Sequence, residues 1–209
     1  MTDVTTRVGT RRREQTRARL LDAAHEVFAE VGMDAASVEM ICERAGFTRG
    51  AFYSNFESKD ELFLALVTHL ADTQIAQVEE RVRGLDPGEQ GQPADLVQRV
   101  VGASLVETLE PQLVSEIRTQ ALRDPRLAEA YLAWQSVMCS RVEDIVRSVT
   151  VSFGLQLRLP TREVAQLLLD LSEDTCTRAA LERRPAVEVA ALLNQRLERL
   201  VGVLVVATA

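Results

Sequence analysis

The apolar positions in the N-terminal part of the chain follow a helical spacing that glycine interrupts. From about residue 11 to residue 31 they recur three and four positions apart, which is typical of an amphipathic helix with one buried face. The residues of this stripe are Leu20, Leu21, Ala24, Val27, Phe28 and Val31. Gly32 follows directly, and glycine readily adopts the left-handed conformation that ends a helix. The pattern therefore predicts a first helix over about 11–31.

Two short helices are predicted next, with a tight turn between them. Ser37 can cap the first at its N-terminus, and Gly46 ends it. Its apolar positions have the i, i+3, i+4, i+7 spacing of one helix face and are Val38, Ile41, Cys42 and Ala45. Thr48 can cap the second helix, which carries Phe52 and Phe56 four positions apart. Two short helices joined by a glycine-containing turn are typical of a helix-turn-helix, here over about Ser37 to Phe56.

Longer helices are predicted for the rest of the chain. Ser58 and Glu61 form an S-x-x-E capping box, which begins a helix that runs to about Arg83. Residues 84–93 are rich in Gly and Pro and form the clearest break. The helices predicted beyond it span about 94–109, 111–123, 126–149, 161–183 and 186–206. Apolar and polar residues alternate over 151–159, but since no second strand candidate is evident, we interpret this segment as an extended or partly helical connector.

The predicted elements indicate an all-α protein of about nine helices. An N-terminal three-helix domain that contains the helix-turn-helix is expected over 1–57. A long fourth helix joins it to a C-terminal helical domain, which is expected over 58–209.

The charge of the chain is unevenly distributed. The 209 residues carry a net charge of −7, which argues against a protein that coats nucleic acid by bulk electrostatic attraction. Residues 7–19, however, contain six arginines and one glutamate, a local charge of +5. Such a segment is often a solvated tail, but directly before a helix-turn-helix it indicates a contact with DNA phosphate or the minor groove. The residues expected to make this contact are Arg11, Arg12 and Arg13.

Several classes of site and of protein are not expected from the sequence. Cys42, Cys139 and Cys176 are far apart and lack a CxxC spacing, so neither a disulfide framework nor a zinc site is predicted, and we expect no metal and no cofactor. Without a signal-peptide pattern or a long apolar run, the chain is expected to be cytoplasmic and to contact no membrane. An enzyme is not expected, since the chain has no HExxH motif, no Gly-rich phosphate loop and no nucleophile with a recognisable base.

Five motifs occur in one unbroken register between about residues 13 and 66. They read LLDAA at 20–24, FAEVG at 28–32, ICERAG at 41–46, GAFYSNF at 50–56 and SKDELF at 58–63. As a set, these motifs resemble the DNA-binding domain of the TetR family, over roughly a quarter of the chain. The resemblance implies a homodimeric transcription regulator, expected to be a repressor, that binds a palindromic operator in double-stranded DNA. It also implies release by a small-molecule effector.

The second helix of the helix-turn-helix is the candidate for the major groove. Phe52 and Phe56 anchor one of its faces on the helical bundle. The positions left toward solvent or DNA are Arg49, Gly50, Tyr53 and Asn55. Arg49, at the helix start, is suited to bidentate recognition of a guanine edge, and Gly50 allows the backbone to approach DNA closely.

Phosphate contacts are expected around this helix. Ser37 and Thr48 can cap their helices and touch phosphate together. By resemblance to the family, Tyr53 and Lys59 contact phosphates, Lys59 from the first turn of the fourth helix. Asn55 stands where many relatives carry His, and it is a further candidate phosphate donor.

The resemblance further implies that the residues after about Glu80 bind the effector and form the dimer. Most of the apolar stripe predicted over 126–149 is ordinary core. The polar or bulky residues that are candidates to line a cavity are Arg118, Gln120, Tyr131, Trp134 and Met138. The last two predicted helices are apolar enough to need cover, and the resemblance implies that they form a two-fold four-helix interface between two copies.

Two other functions stay open at this point. One is a thiol-based redox-sensing regulator that uses Cys139 or Cys176, although buried apolar positions are also typical of cysteine. The other is a structural dimer that has lost its DNA-binding activity. The sequence does not indicate which small molecule would be the effector.

Overall fold

The computed structural model describes residues 3–86, 93–101 and 111–206. Nine helices occur within these ranges: α1 Asp3–Ala35, α2 Val38–Ala45, α3 Arg49–Tyr53, α4 Lys59–Arg83, α5 Pro93–Val101, α6 Pro111–Ala121, α7 Pro125–Ser152, α8 Thr161–Leu181 and α9 Ala186–Leu204. The two strands are β1 Gln156–Leu157 and β2 Val205–Val206. The predicted all-helical architecture is thus confirmed. The second half of the helix predicted over 94–109 lies outside the described residues.

The helix ends are formed by the residues that the sequence predicts. Gly32 has a φ of 76° and interrupts α1 at the predicted stop, although helical backbone resumes and reaches Ala35. Gly46 ends α2 in the left-handed conformation, where its N–H donates to the carbonyl oxygens of Cys42 and Glu43. Ser58 Oγ accepts a hydrogen bond of 3.1 Å from Glu61 N before α4 begins, as expected of the capping box.

The alternating segment at 151–159 has a partner that the sequence analysis did not identify. After α7 ends at Ser152, β1 pairs antiparallel with β2, with Gln156 opposite Val206 and Leu157 opposite Val205. The prediction of a helix up to residue 206 is therefore wrong for its last two residues. Pairing lets the extended backbone of β1 satisfy its hydrogen bonds, because β2 supplies the edge that an isolated strand lacks.

The first of two compact units comprises Met1–His69 and Glu116–Ala130. Its core is closed by an edge-to-face contact between Phe28 and Phe63, whose ring centroids are 4.9 Å apart. The largest side chains fully buried in this unit are Leu20, Val27, Ile41, Phe52, Phe56, Leu62, Phe63, Leu66 and Ile117. Glu116 Oε2 accepts a hydrogen bond of 2.8 Å from Met33 N, just past the break in α1. The helix-turn-helix is thus held on an apolar bundle.

The second unit comprises Leu70–Ser115 and Tyr131–Ala209. Its apolar cluster joins α5, α8 and α9 and consists of Val97, Cys176, Ala179, Val189, Ala190, Leu193 and Leu197. Arg196 of α9 donates to Asp174 at 3.0 Å and to the Thr175 hydroxyl at 2.7 Å, which ties α9 to α8. Because the division between the units falls within α4, α6 and α7, the domain boundary expected after residue 57 stays a prediction.

Two properties of the described helices bear on the class of protein. None of them combines the length and the apolar character needed to cross a bilayer. Within the ranges 3–86, 93–101 and 111–206, no three His, Cys, Asp or Glu side chains come together in a way that could hold a metal ion.

Candidate nucleic-acid interface and ligand cavity

The two helices of the helix-turn-helix begin at hydroxyl caps. Ser37 Oγ accepts from Met40 N at 3.2 Å at the start of α2, and Thr48 Oγ1 accepts from Ala51 N at 3.2 Å at the start of α3. Both hydroxyls satisfy a backbone N–H that would otherwise lack a partner in the first turn. Their capping role is as predicted, and their contact with phosphate stays a prediction.

One face of α3 is anchored on the bundle. Phe52 and Phe56 are fully buried, with ring centroids 5.8 Å apart. The Arg17 guanidinium of α1 lies over the Phe56 ring, 4.2 Å from its centroid. These contacts leave the opposite face of α3 exposed.

On the exposed face of α3, Arg49 contacts two neighbouring side chains. Arg49 Nη1 lies 2.6 Å from Glu39 Oε1 of α2, and the Arg49 guanidinium lies 5.9 Å from the centroid of the Tyr53 ring. A hydrogen bond with Tyr53 and, next, the charge of Glu39 raise the pKa of Arg49 above its ordinary value. Half of the Tyr53 surface is exposed, at 50%. Arg49 and Tyr53 are therefore accessible together, as a base reader and a phosphate donor must be.

Gly50 lies on the same exposed face. A Cβ atom added there would meet only the Thr48 hydroxyl within 4 Å, at an ordinary contact distance of 3.7 Å. The fold of the free protein therefore does not require glycine at this position. A requirement for glycine, if it exists, comes from a ligand that approaches the backbone of α3.

Asn55 does not face solvent, contrary to the sequence analysis, and its contact with DNA stays a prediction. It is 8% exposed, and its Nδ2 donates to Ala51 O at 2.8 Å, which satisfies a carbonyl at the end of α3. The position directly before Phe56 lies past the last helical residue, Tyr53, so helical spacing no longer predicts its direction. Asn55 therefore stabilises the end of the helix.

Arginines of α1 bind the carbonyl ends of the two short helices. Arg13 Nη2 donates to Ser54 O at 3.2 Å, Arg17 Nη1 to Asn55 O at 2.9 Å, and Arg19 Nη2 to Ala45 O at 2.9 Å. Positive charge is favourable at helix C-termini because unpaired carbonyl oxygens collect there. Part of the basic segment is thus structural. Arg12 is exposed, and the Arg11 side chain lies outside the described residues.

Lys59 also has partners within the protein. Its Nζ donates to Met33 O at 2.7 Å and to Ala36 O at 2.9 Å, the carbonyls that follow the break in α1. An ammonium group has three N–H donors, so one remains beyond these two bonds. The phosphate contact expected of Lys59 stays a prediction, and its observed role is to hold α4 against the end of α1.

The second unit contains a cavity of about 160 Å³. Trp134 and Met138 line it, as the sequence predicts, whereas buried Tyr131 stacks on Trp134 with ring centroids 5.6 Å apart. Arg118 and Gln120 belong to the first unit, where Gln120 Nε2 donates to Asp34 Oδ1. The part of these two residues in ligand binding stays a prediction.

The cysteines named for a redox alternative are buried. Cys176 lines the cavity, and burial raises the pKa of its thiol to about 11. Cys139 is buried as well, with a sulfur 3.9 Å from Arg162 O. Since the thiolate is the reactive form, a raised pKa leaves Cys176 almost entirely protonated near neutrality. Burial and a protonated thiol therefore do not favour a redox sensor at Cys176.

Comparison with known proteins decides the family. The family described as "Bacterial regulatory proteins, tetR family" matches residues 20–66, which include the whole helix-turn-helix. The chain is also 26% identical to the HTH-type transcriptional regulator UidR of Escherichia coli K12 over 159 residues, 76% of this chain and 79% of that protein. Residues 20–66 form a DNA-binding domain of the TetR family. The chain is a helix-turn-helix, DNA-binding transcription regulator, and the family is not one of enzymes.

Two further proteins are similar to this chain. The HTH-type transcriptional activator FasR of Mycolicibacterium smegmatis is 38% identical over 71 residues, 34% of this chain and 32% of that protein. A crystal structure of a TetR-family regulator from Mesorhizobium loti superposes with a TM-score of 0.71 at 22% identity, covering 93% of this chain and 99% of that one. The structural likeness shows that the TetR fold extends beyond the helix-turn-helix.

The structure adds residues of the TetR DNA-binding domain that the sequence analysis missed. Glu39 was not considered, although its place in the first turn of α2 puts a carboxylate near the start of α3. Arg17 and Arg19 were counted only as basic charge. The spacing of four residues between Arg13 and Arg17 on one helix would have suggested that these two share neighbours.

Proposed function

We propose that this protein is a repressor that binds a palindromic operator as a homodimer through α3 and leaves it when a small-molecule effector binds the second unit. The exposed face of α3 is the observation that carries the proposal. Arg49, Gly50 and Tyr53 lie there together, while Phe52 and Phe56 hold the opposite face. A helix with one anchored and one small or polar face is suited to the major groove.

The local placement of charge supports sequence-specific binding. With a net charge of −7, the protein gains little from non-specific attraction to DNA. Arg49 and Tyr53 supply exposed donors on α3, Arg12 is an exposed donor on α1, and Ser37 and Thr48 stand at the starts of the two short helices. A few placed contacts of this kind predict a shallow salt dependence, because each neutralised phosphate contributes about 0.9 to the slope of log K against log salt.

Exposed apolar residues support dimerisation through α8 and α9. Leu181 and Val187 are 81% and 80% exposed, and Leu167 and Val203 are exposed on the same two helices. Their opposite faces form the apolar cluster of the second unit, so these residues are free to meet a second copy. A two-fold dimer would place two α3 helices on successive major grooves, about 34 Å apart, which a palindromic operator matches.

Effector release follows from linkage. The effector can bind the cavity of the second unit more tightly in the DNA-free protein than in the DNA-bound protein. The affinity for DNA then falls by at most the ratio of these two effector affinities. Because α4, α6 and α7 contribute residues to both units, a change of the cavity can alter helices that also belong to the DNA-binding unit. The same regulator, working in the cytoplasm beside its DNA, would then respond to the intracellular effector concentration.

The test is binding of the purified protein to the DNA upstream of its own gene, measured by fluorescence anisotropy. Tyr53→Ala is compared with Arg126→Ala, which removes an exposed side chain outside the helix-turn-helix. We expect Tyr53→Ala to weaken binding at least roughly ten-fold and Arg126→Ala to leave it unchanged, in keeping with a lost phosphate contact. Equal binding by Tyr53→Ala and the wild type would contradict the proposed interface. A promoter fusion distinguishes repression from activation.

A further inference from the structure

The second unit contains the cavity that Trp134 and Met138 line. It is bordered by α4, α6, α7 and α8, and most of the surface that lines it is apolar. We propose that it takes an organic cation, with an apolar body and a hydrogen-bond acceptor, as its ligand. This inference rests on the proposed function in that it names the chemical class of the effector.

The charged groups of the lining have one sign. Asp170 and Glu173 are among the described lining residues, which include no Lys, Arg or His. The hydrogen bond that Asp170 Oδ1 accepts, at 2.8 Å, comes from the uncharged amide of Gln166. Because this amide is uncharged, the bond does not neutralise the carboxylate of Asp170, which is an exposed residue at the cavity. The cavity therefore repels an anionic ligand and attracts a cationic one.

The aromatic side chain of Trp134 also favours a positively charged ligand. Trp134 lines the cavity and is stacked on Tyr131, with an angle of 28° between the two rings. Gln135 Nε2 donates to the Tyr131 hydroxyl at 3.3 Å, which holds Tyr131 behind Trp134. The face of an indole ring carries negative electrostatic potential, and quaternary ammonium groups are recognised on such faces. A fixed Trp134 is thus suited to a cation.

The indole nitrogen indicates a further feature of the ligand. Trp134 Nε1 is buried and has no hydrogen-bond partner among the described residues. A buried donor without an acceptor is unfavourable, and most such groups in proteins are paired. A ligand with a carbonyl, ether or hydroxyl oxygen near its cation would supply that acceptor.

The remaining lining residues favour a ligand with an apolar group. Ile75, Val114, Met138 and Leu169 offer aliphatic surface, and Gln74 is the buried polar residue among them, 8% exposed. Burial of an aromatic or branched aliphatic group against these side chains provides affinity that does not depend on charge. Charge then determines which of several apolar molecules is bound.

Two probes of the same shape test the charge preference. Benzoylcholine has a quaternary ammonium, an ester carbonyl and a phenyl ring, and 3,3-dimethylbutyl benzoate replaces its nitrogen by carbon and is neutral. The protein contains one tryptophan, so the intrinsic fluorescence of Trp134 reports binding at the cavity wall. We expect benzoylcholine to bind at least roughly ten-fold more tightly than the neutral ester. Equal affinity, or no fluorescence response to benzoylcholine, would overturn the inference.

Variants identify the residues responsible. Asp170→Asn together with Glu173→Gln should reduce the preference for the cation to less than about three-fold while the neutral ester binds as before. Asp144→Asn is the matched control, because Asp144 is an exposed carboxylate of α7 that pairs with Arg147 outside the cavity. A preference that survives in the double variant would show that Asp170 and Glu173 do not select the ligand.

The same samples separate this inference from the proposed function. Binding to the upstream DNA is measured by anisotropy without any probe. DNA binding with no preference between the two probes would sink the cation inference and leave the DNA-binding proposal standing. Selective binding of benzoylcholine by a protein that does not bind DNA would support the cation inference and contradict the proposed function.

Discussion

Arg49 Nη1 and Glu39 Oε1 lie 2.6 Å apart on the exposed surface of the helix-turn-helix. The candidate base reader is therefore held by a carboxylate of the preceding helix in the DNA-free protein. Arg49 must leave or share this partner when it contacts a guanine edge. In the proposed complex, Glu39 would also bring a negative charge close to the DNA phosphates.

We expect Glu39→Gln to strengthen operator binding. The gain should be roughly two- to five-fold, because an exposed ion pair contributes only about 0.2–1 kcal/mol. Glu43→Gln, another exposed carboxylate of α2, is the control and should change binding less. Anisotropy titrations at one salt concentration measure both effects. Weaker binding by Glu39→Gln would show instead that Glu39 positions Arg49 for the bound state.

Alanine substitutions of Arg12 and Arg17 are expected to have different effects, one on DNA affinity and the other on the free energy of unfolding. Arg17→Ala removes the bond to Asn55 O and the contact with Phe56, and should lower the free energy of unfolding by roughly 1–2 kcal/mol. Arg12→Ala removes the same charge from an exposed position and should weaken DNA binding without affecting stability. Urea unfolding and anisotropy provide the two readouts. A destabilised Arg12→Ala variant, or an unchanged Arg17→Ala variant, would contradict this division.

Gly50→Ala tests whether DNA approaches the backbone of α3. The new methyl group meets only the Thr48 hydroxyl at 3.7 Å, and alanine favours the helix over glycine by up to about 1 kcal/mol. The melting temperature should therefore stay the same or rise, while operator affinity falls. Unchanged affinity in a folded Gly50→Ala variant would show that the backbone of α3 does not approach DNA at this point.

The helix ends and the exposed face of α3 could be predicted because they depend on local sequence. Ser37, Gly46 and Thr48 act on backbone groups within four residues, and Phe52 places its neighbours by helical spacing. The partner of β1 could not be predicted, since β2 is two residues long and follows α9 without a break in the apolar pattern.

The bonding of Lys59 also depends on contacts distant in sequence, whereas Asn55 is turned inward by a bond to Ala51 O four residues before it. Lys59 meets Met33 O and Ala36 O only because α4 packs where α1 breaks. A family resemblance places a residue in a motif, but it does not reveal which carbonyl groups of the same chain that residue already binds. Both residues were therefore assigned to the DNA surface, whereas Asn55 is buried.

The buried thiol of Cys176 predicts a dependence of stability on alkaline pH. Its pKa is raised by burial to about 11, against about 8.5 for a free cysteine in an unfolded chain. The unfolded state therefore releases its proton first, and the free energy of unfolding should fall as the pH rises from about 8.5 toward 11. Cys176→Ala removes this contribution, so the difference between the two unfolding curves isolates it. Parallel pH profiles for both proteins would contradict the assignment.

We propose that α3 recognises DNA through Arg49, with two copies of the chain in a two-fold arrangement. Selection of binding sites from genomic fragments, performed with the wild type and with Arg49→Ala, is the test. We predict that the wild type enriches inverted repeats with half-sites centred about one helical turn apart, and that Arg49→Ala loses a guanine preference at one position of each half-site. Enrichment of the same motif by both proteins, or of no repeated motif by the wild type, would contradict the account.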